Sequence, residues 1–147
     1  MTTHPTGGLG EWAPVRAPYP RLREQLLNAE ACLNRGPATG PTNRWQRVRQ
    51  AAGDDVACAD AVNTLLSAVL AGWELVAVDD GRWRVSLVPA SDVGPGELAA
   101  AQALVLLVEA GGWSRLGRCA RPGCTWVFLD WTSGGNRRTC RADEHQR

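Results

Sequence analysis

The stretch Cys119-Ala-Arg-Pro-Gly-Cys124-Thr-Trp-Val-Phe-Leu-Asp130, followed by Trp131-Thr-Ser-Gly-Gly-Asn-Arg-Arg-Thr-Cys140-Arg-Ala-Asp-Glu-His145, decides how the C-terminal end of this chain must fold. Two potential ligand pairs, Cys119/Cys124 and Cys140/His145, have matching four-residue gaps and are separated by fifteen residues. Pro122-Gly123 lets the chain reverse so that two thiolates point at one ion, and Trp126 to Leu129 has the composition of a strand packed on that ion. Thr132 to Asn136 is expected to supply the return turn, so that the pairs flank a small hairpin, with the second pair near a helix start. Soft thiolates with one imidazole suit a tetrahedral Zn²⁺, and four protein ligands leave no open position for a reactive water. The expected site is therefore structural zinc held by Cys119, Cys124, Cys140 and His145. A segment of this size buries too little apolar surface to fold unaided, so metal would supply much of its folding energy. On that reasoning chelation should melt the finger and spare most of the rest.

Working outward, the 147 residues suffice for a body with a core of its own plus this appendage. An irregular arm is read over residues 1–19, where Trp12 and Tyr19 are its candidate anchors. A helical domain is read over 20–112, and the finger over 113–147. Leu22, Leu26, Ala29 and Leu33 form a helical stripe that stops at Gly36-Pro37. Residues 43–52 fit a short helix, capped by Thr42 or Asn43, that presents Arg44, Arg47 and Arg49 together with Trp45 and Val48, its Arg face solvated. Asp54-Asp55 opens a clearer helix with Val62, Leu65, Leu66, Val69 and Leu70 on one face, ended by Gly72. Trp73 to Val78 and Arg82 to Val88, joined through Asp79-Asp80-Gly81, read as a β-hairpin. The residues from Glu97 to about Ala110 are apolar almost all round, which predicts a helix in the core. Trp83, Val85, Leu104, Val105 and Val108 are expected in one core. The fold class is therefore α+β, a mostly helical domain with one hairpin followed by a zinc-bound β-hairpin/helix finger.

Charge is unevenly placed. All sixteen basic residues are arginine, and residues 113–147 carry seven of them against Asp130, Asp143 and Glu144, a net of +4 that leaves −3 elsewhere. A basic end on a mildly acidic body suits a polyanion such as DNA, with Arg118, Arg121, Arg137, Arg138 and Arg141 as phosphate contacts and Trp131 or Asn136 as weaker base contacts. No stretch approaches the about 20 apolar residues of a membrane span, and the N-terminus has neither a basic nor an apolar signal region. A cytoplasmic location with reduced thiols is expected, because five cysteines are an odd number. Cys32 and Cys58 lie within helical patterns as small buried apolar groups.

The finger resembles a known family, on Arg115-Leu-Gly-Arg-Cys119, Cys124-Thr-Trp-Val-Phe-Leu-Asp130 and Arg137-Arg-Thr-Cys140. These are similar to the motifs of bacterial proteins with a C-terminal CGNR-type zinc finger behind an ABATE-like domain, regarded as stress-related transcription regulators. The order of the helix with Val62-Asn63, the Trp83 hairpin and the helix leading into Trp113 extends the resemblance over residues 54–145. The resemblance implies a DNA-binding regulator. His145 stands where the family has its fourth cysteine, and the basic helix that continues the family's finger is replaced by Gln146-Arg147, so less surface for DNA is expected. The family's N-terminal Leu-Asp-Phe-Val-Asn-Thr-like motif is not evident. The rival reading is a module for a protein partner or a homodimer, in which the finger is structural and DNA binding is lost. An accessory or catalytic role is least favoured, because no residue is placed to orient a Cys140–His145 pair as a nucleophile and base.

Overall fold

The computed structural model describes residues 21–37 and 43–141. The expected arm at 1–19, the candidate cap Thr42, the helix start beyond Cys140 and His145 lie outside the described residues. The elements are α1 (Leu22–Arg35), α2 (Asn43–Ala51), α3 (Asp55–Val69), β1 (Leu70–Ala77), β2 (Trp83–Pro89), α4 (Pro95–Gly111), a 3₁₀ turn (Trp113–Arg115), β3 (Leu116–Arg118) and β4 (Val127–Leu129). The α+β class read from the sequence is the observed one: a helical body, one hairpin, and a small β finger.

Helix α4 is the centre of the body. Ala100, Ala101, Ala103, Leu104 and Leu107 are fully buried, and the alanines let α1 approach it closely. Against it α1 turns Leu22, Leu26, Ala29 and Leu33, the stripe expected from the sequence. It ends at Gly36, whose φ of 92° closes the last turn with an N–H to the Cys32 carbonyl. Asp54 caps α3 by accepting the Ala57 N–H at 3.1 Å. Val62, Leu65 and Val69 of α3 are buried, whereas Leu66 and Leu70 are half-buried against the same core.

The structure departs from three expectations. Arg44 does not face solvent: it is buried and pairs with Glu97 of α4 at 3.2 Å, while the Trp45 indole donates to the same carboxylate at 2.7 Å. The basic residue is inside because it neutralises a buried acid. Second, Gly72 does not end α3; the helix stops at Val69, β1 begins at Leu70, and Gly72 sits at an irregularity in the β1–β2 register. Third, Trp83 and Val85 do not join the core of Leu104. They are 64% and 53% exposed, while Val105 and Val108 are half-buried against that core. The hairpin stands out from the body, so its alternation marks an apolar face that no described residue covers.

Its turn is sharply defined. Asp80 and Gly81 have φ of 58° and 73°, the pair of left-handed residues that a two-residue turn matched to strand twist requires. Val78 donates to the Arg82 carbonyl at 2.8 Å.

Candidate metal centre and basic finger

The finger begins where α4 ends. Gly112, with φ of 85°, turns the chain into the 3₁₀ turn, and Arg115 folds back between two glycines. A Cβ at Gly111 would lie 2.6 Å from Arg115 Nε, and one at Gly135 2.8 Å from its Nη2. The buried guanidinium donates to the Asp130 carbonyl at 3.1 Å and the Thr132 carbonyl at 2.7 Å. Asp130, itself buried, accepts the Thr132 N–H at 3.0 Å, the Thr132 hydroxyl and the Arg137 N–H at 3.0 Å. Burial alone would raise the Asp130 pKa, but these donors and nearby Arg115 outweigh it and hold the carboxyl below its usual value. This network fixes the loop that returns the chain to Cys140.

Strands β3 and β4 pair antiparallel, Leu116 with Leu129, Gly117 with Phe128 and Arg118 with Val127. The sheet therefore brackets Cys119 and Cys124. The sequence placed the hairpin between the two ligand pairs instead, yet residues 132–141 contain no strand. The reason is local: Leu116 to Arg118 supplies the partner strand before the first cysteine, and the Asp130 network holds the return segment without a ladder. Gly117 is required by the ring of Phe128, which a Cβ there would meet at 2.7 Å.

Cys119, Cys124 and Cys140 converge, with their sulfurs all within 4.8 Å of one another and Cys124 Sγ to Cys140 Sγ at 3.9 Å. A tetrahedral Zn²⁺ with Zn–S of about 2.3 Å separates its sulfurs by about 3.8 Å, so the donor set fits such an ion. Cys119 and Cys140 are buried with Phe128, and Cys124 and Trp126 pack against them half-buried. The Arg121 N–H points at Cys119 Sγ and the Trp126 N–H at Cys124 Sγ, each at 3.5 Å. Such donors stabilise thiolates and orient ligands.

The electrostatics point the same way. Burial would raise the Cys119 pKa, but backbone N–H groups and the other two thiols bring it down to about 6. Cys140 is pushed up to about 12 by burial and by its neighbours Cys119 and Cys124. A negative Cys119 opposes ionisation of Cys140, and a cation shared by the cluster would relieve that opposition. His145 lies outside the described residues. None of the five cysteines is in a disulfide, and Cys32 and Cys58 are buried as expected. Burial and the nearby Glu97 carboxylate push the Cys32 thiol up to about 12.

The five arginines singled out for phosphate have different settings. Arg118 reaches back to the body, Nε to the Ala52 carbonyl at 3.0 Å and Nη2 to the Gln50 carbonyl at 2.8 Å. Arg141 pairs with buried Glu30 of α1 and lies 4.1 Å from the Trp131 ring centre. Arg121 donates to the Cys140 carbonyl at 3.3 Å. Arg137 donates to the Thr139 carbonyl at 2.7 Å and covers Phe128. Arg138 is exposed. Sequence reasoning missed three residues that seat the finger on α1 and α2: Glu30, Asn34 and Arg49, the last of which donates to the Thr125 carbonyl at 2.8 Å. Their positions in helical patterns carried no signal of a partner roughly 75 to 110 residues away.

The family described as CGNR zinc finger matches residues 115–144, which contain all three converging thiols. The segment is thus similar to a zinc finger of that type. No curated protein matches the chain. Among the described residues, no helix is long and apolar enough to cross a membrane.

Proposed function

We propose that this chain is a cytoplasmic zinc-binding regulator whose finger touches DNA phosphates through Arg121, Arg137 and Arg138, joined to an ABATE-like helical body. Zinc is held by Cys119, Cys124 and Cys140, with His145 as the fourth ligand, and its role is to fold the finger. The observation that carries the reading is that these three arginines belong to the finger's own surface. The bonds of Arg121 and Arg137 run to finger backbone, and Arg138 is exposed beside them. Arg118 and Arg141 serve the seam with the body, so they are positioning residues for the finger.

Titration of a labelled duplex at two salt concentrations tests this. Three phosphate contacts give a slope of log affinity on log salt of about −3 for a monomer. Arg137→Ala with Arg138→Ala flattens it by about 1–2 units. Stoichiometric zinc that survives His145→Cys and is lost with His145→Ala supports the fourth ligand. A second reading is favoured by the inward Arg118 and Arg141: a protein-interaction module with a structural finger. Full zinc content with no DNA binding at low salt would select it.

A further inference from the structure

The β1–β2 ribbon has one face with no charge on it. Cross-strand pairs share a face, so from base to tip this face carries Trp73 beside Leu87, Leu75 beside Val85, and Ala77 beside Trp83. Trp73 is 69% exposed, Leu75 66%, Trp83 64% and Val85 53%. Glu74 and Arg84 fall on the opposite face by the same alternation. At the base Leu87 leans on the main core, so the apolar face is an outward continuation of it. The four exposed side chains offer about 500 Å² of apolar surface, as much as the largest patch on an ordinary monomer. A lone two-stranded ribbon is also marginal in water without a layer packed on it.

We propose that this face docks on the same face of a second copy of the chain, about a two-fold axis lying in the contact plane and running across the strands. The shape of the face selects this occupant. Its two indoles occupy diagonally opposite corners, and the smaller Leu87 and Ala77 occupy the other two. Rotation about that axis sets Trp73 over the partner's Ala77 and Trp83 over the partner's Leu87. Leu75 and Val85 each meet their own copies in the middle row. Large side chains thus fall over smaller ones throughout, which is how stacked sheets interdigitate. The two helical bodies end on opposite sides of the stack; the other in-plane axis would crowd them together. Two such faces bury about 1,000 Å², the lower bound for a specific interface, and the charges of Glu74 and Arg84 stay in solvent. The contact is independent of the finger's role, since no finger residue takes part.

Sedimentation equilibrium of the full zinc-loaded chain, from roughly 1 to 100 µM, reads the association directly. A dimer that dissociates on dilution is expected, and Leu75→Glu or Trp83→Ser should shift it to monomer with the helical far-UV circular dichroism signal and zinc content unchanged. Mild oxidation of Leu75→Cys should give a cross-linked dimer absent from the wild type, whereas Ala77→Cys, facing the partner's Trp73, should not cross-link to its own copy. A wild type that stays monomeric at the highest concentration overturns the proposal. A dimer unmoved by either exposed-face variant overturns it as well, because its contact lies elsewhere.

Discussion

Asn34 of α1 pairs with Val127 of β4 as a neighbouring strand would: its amide nitrogen donates to the Val127 carbonyl, and its amide oxygen accepts the Val127 N–H, both at 3.0 Å. One turn earlier, Glu30 accepts the Leu129 N–H at 2.7 Å. A helix thereby completes the outer edge of the finger's sheet. Leu116, Val127 and Leu129 belong to the same core as α4.

The Asn34→Ala variant leaves one donor and one acceptor of Val127 unmatched in a partly buried seam. The expected cost is about 1–3 kcal/mol, read as a shift in the denaturation midpoint. Amide exchange at Val127 should accelerate more than exchange in α3. Equal acceleration in both would mean that Asn34 contributes only to global stability.

Metal removal should reach beyond the finger. An independent finger would melt alone on chelation, but Glu30, Asn34, Arg49 and Arg118 tie it to α1 and α2, and its strands share the main core. Chelator is therefore expected to lower the midpoint of a single transition seen by helical circular dichroism. A biphasic melt in which the helices hold their original midpoint would show the two parts to be uncoupled.

Below the lowered midpoint, where the chain stays folded without metal, the thiols should separate by reactivity. Only the thiolate attacks an alkylating reagent. Cys119, brought down to about 6, should be modified faster as pH rises through 6 and then level off, while Cys32, near 12, stays unmodified at pH 8 in the folded chain. Zinc should protect Cys119. Mass spectrometry of timed alkylation distinguishes the positions, and early labelling of Cys32 would contradict its burial.

Asp130 gives a pH dependence of known sign. Its folded-state pKa lies below the ordinary 3.8, so its contribution is fully present above that value and is lost as pH falls through the folded one. Asp130→Asn should weaken the finger at neutral pH and flatten the acid limb of the stability curve. An unaltered acid limb would place the titration elsewhere.

Much of this was legible in the residues themselves. The stripe from Leu22 to Leu33, the Asp54 cap and the Asp80-Gly81 turn are short-range signals, and each appears where local chemistry puts it. The spacing of Cys119, Cys124 and Cys140 likewise foretold a cluster, because chelation restricts spacing. Long-range compensation was not legible. Nothing near Arg44 announces Glu97, and nothing near Glu30 announces Leu129. For Trp83, alternation revealed which side chains share a face, but whether that face meets a helix or water depends on where the hairpin leaves the body.

The described residues form two small sheets, and they differ in how their rims are finished. The finger's rim is sealed by carboxamide and carboxylate groups from a helix, so no extended peptide can add to Val127 or Leu129 without first displacing Asn34 and Glu30. Strand recruitment, the usual way in which exposed sheets acquire extra chains and sometimes clump, is blocked there by two side chains. Mutating either one should therefore create a sticky border as well as a looser finger.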